Sequence, residues 1–104
     1  MAMILDRLFS SKTRVKILTA LLAEPEREYY MRELARSTDE VIGSVQRELG
    51  NLEELNLVVS QRRANARFFR VNRRHYLYPE LKSMIAKTAK VGGSLLVKKG
   101  DNGP

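Results

Sequence analysis

Apolar positions in residues 38–56, TDEVIGSVQRELGNLEELN, recur with helical spacing. At about 100° per residue, Val45, Leu49 and Leu52 gather on one narrow stripe, with Leu55 at its edge. Gly43, Arg47, Gly50 and Glu54 lie opposite, flanked by Ser44, Gln46 and Asn51. The pattern predicts a helix with one buried face and one free face. Just ahead, Met31, Leu34 and Ala35 take the i, i+3 and i+4 places of a shorter helix from Met31 to Ser37. Only a tight link around Thr38 and Asp39 joins the two, which predicts a helix-turn-helix. Asp39 has the better side chain for the N-cap of the second helix, and Val41 is the other choice. Asn56 suits a left-handed residue just past its end.

The same reading extends in both directions. Ile4, Leu5, Leu8 and Phe9 share one face of a short N-terminal helix, which Ser10 and Ser11 interrupt. From Lys12 to Ala23 the stripe of Val15, Leu18 and Leu22 is widened by Ile17 and Leu21, as a central scaffold helix requires. Glu24-Pro25-Glu26 ends it, because proline cannot continue the hydrogen-bond ladder. Glu28-Tyr29-Tyr30 reads as a short extended piece. Beyond Asn56, residues 57–62 and 66–71 are rich in valine and phenylalanine and predict a β-hairpin. Arg63-Ala64-Asn65 joins its arms, with Asn65 as the turn residue. A last helix begins near Pro79, with Leu81, Met84, Ile85, Thr88 and Val91 on its less polar side. From Gly92 the periodicity fades. Residues 1–91 therefore form one domain by this reading, and 92–104 a weakly ordered tail or linker.

Charge sharpens this picture. Residues 1–56 hold 8 Lys/Arg against 10 Asp/Glu, a balance of −2, whereas residues 57–104 hold 11 against 2, a balance of +9. So polarised a chain suits a polyanion. Six arginines fall within the thirteen residues Arg62 to Arg74 with no acid between them. The chain has no cysteine and one histidine, His75, which argues against metal sites, disulfides and nucleophilic triads. No acid, base and nucleophile set converges, so an enzyme and a cofactor are not expected. Neither a signal peptide nor a membrane-spanning run is legible, and a cytoplasmic protein is expected.

Helix, helix-turn-helix, arginine-rich hairpin and helix, in that order, make a mainly α fold with a β-hairpin wing. The segments LFSSKTRVKILTALL, YYMRELARST, VQRELGNLEELNLV, RRANARFFRVN and YPELKSMIAKT resemble the ArsR-like winged helix-turn-helix transcriptional regulators. They are also similar to the winged-helix segment that precedes a nucleotidyltransferase domain in some chains. The resemblance covers about residues 8–88 and implies a three-helix core, a wing, a C-terminal helix and a dimeric regulator of double-stranded DNA. It implies groove reading by Ser44, Gln46, Arg47 and Asn51. Arg62, Arg63, Asn65 and Arg67 on the hairpin are expected to meet the backbone or minor groove. The surplus apolar positions Leu5, Leu8, Phe9, Leu81, Met84 and Ile85 are the expected dimer contacts. No effector is legible. A protein-interaction or tethering module, which a nucleotidyltransferase could partner, is the alternative; it would use the apolar outer helices, with Glu48, Glu53 and Glu54 of the second helix facing a partner.

Overall fold

Several helix boundaries in the N-terminal half have a local chemical cause. Ser11 stands in extended backbone and its Oγ accepts the Arg14 N–H at 3.1 Å, which starts the scaffold helix. In the computed structural model, which describes residues 2–97, α1 spans Ala2–Phe9, α2 Lys12–Ala23 and β1 Tyr29–Tyr30. The helix pair follows as α3, Met31–Thr38, and α4, Ile42–Glu54. Two antiparallel strands, β2 Val58–Arg63 and β3 Ala66–Val71, form the hairpin, and α5 runs Tyr78–Val97.

The turn between α3 and α4 differs from expectation at Asp39. This residue is left-handed, φ 57°, and terminates α3 rather than capping α4. Its N–H reaches Arg36 O at 3.3 Å, and the Glu40 N–H reaches Ala35 O at 3.0 Å. These two bonds satisfy carbonyls that the helix end would leave orphaned. Val41 is the N-cap of α4 and supplies no side-chain acceptor. Asn56 closes α4 as expected, with φ 62°, while Asn56 N–H meets Glu53 O and Leu57 N–H meets Leu52 O, both at 3.0 Å. Glu40 then pins the turn to α2, accepting from Lys16 Nζ at 2.8 Å and Thr13 Oγ1 at 3.0 Å. These two donors hold its carboxyl below the ordinary value.

The sheet has the order β1-β3-β2, with Tyr29 opposite Phe69, and Val58, Ser60 and Arg62 opposite Val71, Phe69 and Arg67. Tyr29, Val58, Phe69 and Val71 turn inward. They meet Ile17, Leu18, Leu21 and Leu22 of α2, Leu34 of α3, and Val45, Leu49 and Leu52 of α4 in one core. His75 is buried just before α5. Its Nε2 lies 3.0 Å from Leu55 O and its Nδ1 accepts the Leu77 N–H at 3.0 Å, so a neutral ring satisfies both bonds.

Two boundaries moved. α5 continues through Gly92 and Gly93 to Val97, past the end expected at Val91. Extending a formed helix is far easier than nucleating one, so lost amphipathicity does not stop it. Residues 98–104 of the expected tail lie outside the described residues. In the hairpin the positive φ belongs to Ala64, at 54°, and not to Asn65. Left-handed backbone costs a Cβ-bearing residue about 1–2 kcal/mol. Glycine avoids that cost but loses more entropy on folding, so Ala64→Gly should stabilise the domain by a net ~0.5–1 kcal/mol. A urea titration checks this; an unchanged midpoint would mean that the turn carries no such strain.

Candidate nucleic-acid interface

The free face of α4 is built by what its acids do. Glu48 is buried, 6% exposed, because it lies beside the Val45–Leu49–Leu52 stripe and meets an arginine from another helix. Its Oε1 accepts from Arg14 Nε at 2.8 Å and from Asn51 Nδ2 at 3.0 Å, and its Oε2 lies 3.7 Å from Arg47 Nε. Burial pushes the Glu48 carboxyl up, but the bonds from Asn51 and Arg14 and the charges of Arg14 and Arg47 outweigh it. The carboxyl therefore sits below its ordinary value. Arg14 is in turn held at the end of α1, donating from Nη1 to Ser10 Oγ at 2.9 Å and to the Arg7 carbonyl.

Glu53 faces the wing. Arg67 Nη2 reaches both of its carboxylate oxygens at 3.1 Å, and Ser60 Oγ donates to Oε2 at 2.7 Å. Glu54 takes Arg7 Nη2 at 3.1 Å. Each acid of α4 thus has a partner within the chain, and the exposed surface consists of Ile42, Gly43, Gln46, Arg47 and Gly50 with Glu54 at the far end. Of the residues expected to read bases, Gln46 and Arg47 are exposed, whereas Ser44 and Asn51 are half-buried. A Cβ built on Gly43 or Gly50 meets nothing within 4 Å, so neither glycine is demanded by packing inside the chain.

On the hairpin, the four expected residues divide. All four are exposed but differ in their partners, and Arg62 has no ion pair among the described residues. Arg67 is tied to Glu53, and Arg63 pairs with Glu28 while lying over the Phe68 ring at 4.2 Å. These carboxylates come from β1's approach and from α4, so no scan of residues 62–74 could find them. Arg70, Arg73 and Arg74 line an open groove of about 580 Å³ on the outer sheet face, with Glu28, Gln61 and Phe68.

Sequence reasoning missed Val41 and Ile42, which are 70% and 50% exposed at the start of α4. Ile42 falls near the core stripe on a helical wheel, so periodicity sends it inward. The expected dimer residues also separate. Leu8 and Leu81 are buried in the chain's own core at 0% and 7% exposure, and Ile85 packs against that core. This corrects their assignment as surplus: α1 and α5 both lie on α2 and use them there. Phe9 and Met84 remain exposed, at 53% and 50%, around a shallow apolar groove with Val15 and Thr19. The Leu5 side chain lies outside the described residues. Among those residues no helix is long and apolar enough to cross a membrane, and no cluster of His, Cys, Asp and Glu could hold a metal.

No family model matches this sequence, and no curated protein matches it. Solved structures do match its fold. The transcriptional repressor BigR from Xylella fastidiosa superposes with a TM-score of 0.69 at 21% identity, over 88% of this chain and 84% of that one. A possible transcriptional regulator from Methanosarcina mazei gives 0.64 at 16% identity, over 95% and 86%. The homodimeric winged helix-turn-helix DNA-binding domain of a possible ArsR-family regulator from Mycobacterium bovis gives 0.59 at 19%, over 86% and 84%. With its helix pair, three-stranded sheet and terminal helix in the same succession, this chain has the winged helix-turn-helix fold.

Proposed function

We propose that this chain is a homodimeric transcriptional regulator that binds double-stranded DNA, with α4 in the major groove and the wing on the backbone or minor groove. The observation that carries the reading is that Glu48 is buried against Arg14 and Glu53 is tied to Arg67, which leaves Gln46 and Arg47 exposed on α4 without those two acids beside them on the surface. A guanidinium there suits guanine, whose O6 and N7 accept two bonds from its fork. Val41 and Ile42 bring apolar surface of the kind that meets thymine methyls. Because Val41 caps α4 without a side-chain acceptor, the first N–H groups of the helix stay available to a phosphate. The matched repressor and homodimeric DNA-binding domain support the same reading. The tethering alternative drew on the apolar outer helices and on an acidic α4, and of the three acids of α4 only Glu54 is exposed.

The test is a fluorescence titration of wild type, Arg47→Ala and Arg62→Ala on a selected duplex and on a scrambled one, across a salt series. Arg47→Ala should cost about 1–3 kcal/mol on the selected site and much less on the scrambled duplex. Arg62→Ala should weaken both alike and lower the slope of log K against log salt by about 0.9. Arg63→Ala and Arg67→Ala should lower it less, since each exchanges a carboxylate in its own chain for a phosphate. Wild type that binds neither duplex at low salt refutes the reading.

A further inference from the structure

Glu48 occupies a place that neither a core residue nor a solvated helix acid would take. Its two oxygens are divided between a buried cation beneath and two polar residues of the proposed reading face above. Arg14 holds Oε1 from the α2 side at 2.8 Å. Asn51 binds the same oxygen from the α4 surface at 3.0 Å, and Arg47 Nε lies 3.7 Å from Oε2. We propose that Glu48, fixed by Arg14, is a positioning residue that sets base discrimination by orienting Asn51 and Arg47. The inference rests on the DNA-binding reading above.

The chemistry of the groups supports this role. A carboxylate only accepts, so the Asn51 atom directed at Glu48 must be the amide nitrogen, and the amide cannot flip. One amide hydrogen is thereby engaged. Among the described residues Oδ1 and the other hydrogen have no partner, and an acceptor with a donor is the pair that asparagine presents to adenine N6–H and N7. Arg47 gains a different constraint. Its side chain is 68% exposed, yet its Nε lies 3.7 Å from a buried negative charge, and the contact does not use the two terminal nitrogens. Long side chains on a helix surface lose much rotamer entropy on binding, and a fixed base reduces that loss. Arg14 could not serve as so firm a support without α1. Its Nη1 is fastened to Ser10 Oγ at 2.9 Å and to the Arg7 carbonyl, and its backbone N–H to Ser11 Oγ at 3.1 Å.

Glu48→Gln is the direct test because it keeps size while removing charge. A single amide oxygen cannot accept from Arg14 and Asn51 and also leave an acceptor facing Arg47, because its –NH₂ then meets another N–H. Affinities for the selected and scrambled duplexes are measured at one salt concentration. The ratio of the two should fall at least tenfold, with scrambled-duplex affinity within about threefold of wild type. Since breaking one side of a buried pair can unfold a domain, Arg14→Met/Glu48→Met is measured beside it; replacing both ions by apolar groups is often neutral for stability. A cooperative melt establishes folding, and this variant should lose the same discrimination. Finally, Glu48→Gln is placed in an Arg47→Ala/Asn51→Ala background, where a residue acting through those two should have no further effect on the ratio. An unchanged ratio in the folded variants overturns the proposal, and so does a loss that persists undiminished in that background. If wild type itself fails to distinguish the two duplexes, the DNA-reading function falls first and this inference with it.

Discussion

A Phe9→Asp/Met84→Asp variant should be a folded monomer under conditions in which the wild type is a dimer. Both side chains are about half exposed at one apolar groove, so their removal does not open the core. Burying the exposed half of a Phe or Met is worth about 1 kcal/mol, and a two-fold interface counts each residue twice. The dimer constant should therefore weaken by about 4 kcal/mol, roughly a thousandfold, before the added cost of facing carboxylates. Specific DNA affinity should fall further than non-specific affinity, since paired α4 helices about 34 Å apart read two half-sites. Sedimentation equilibrium near 10 µM, a concentration chosen for an interface in the micromolar range or tighter, decides the matter. A monomeric wild type there contradicts the proposed assembly. Leu8→Asp is the contrasting control, since Leu8 is fully buried and its replacement should unfold the chain.

The second large effect belongs to Arg14. Arg14→Ala leaves Glu48 buried without its closest cation, and stranding one member of such a pair costs about 3–5 kcal/mol. Against a typical domain stability of about 5–15 kcal/mol this is a large fraction, and the melting temperature should drop by more than about 12 °C. The deficit should depend on pH with a definite sign. The folded Glu48 carboxyl lies below its ordinary value of 4.5, so its contribution is complete above that pH and is lost as pH falls through the lower folded value. The gap between wild type and Arg14→Ala should thus be widest near neutrality and narrow in acid. Guanidinium unfolding at pH 7 and pH 3 measures it; a gap under 1 kcal/mol at pH 7 would mean the pair contributes little.

How much of this was legible depends on whether a feature is local. Val45, Leu49 and Leu52 announce their burial by spacing alone, and all three are in the core. Asparagine takes left-handed backbone more readily than most residues with a Cβ, and that of Asn56 was readable for that reason. Asp39 was misplaced because aspartate suits both an N-cap and a left-handed terminator, and only the bonds from Asp39 and Glu40 to Arg36 and Ala35 separate the roles. Ala64 carries a positive φ against its own preference because strand register sets the turn. Glu48 was beyond reach. It stands 34 residues from Arg14, and on a wheel it is merely an acid at the border of a stripe. Separation in sequence, 35 residues to Glu28 and 14 to Glu53, likewise hid the partners of Arg63 and Arg67 and made the wing look more freely charged than it is. Leu8 and Leu81 were counted as surplus because a list of apolar residues does not reveal how much core two extra helices can fill.

The strand order β1-β3-β2 leaves one side of β2 without a neighbour. Such an edge is a template for another chain's strand, and this one begins with the apolar pair Val58-Val59. Arg62 and Arg63 at its far end repel a second copy that approaches in register, so the wing's cations also act as gatekeepers of solubility. The alanine titrations of the wing are therefore read beside light scattering, which separates a lost phosphate contact from aggregation. Lysine and glutamine replacements, compared by light scattering as well as by DNA affinity, separate the two roles.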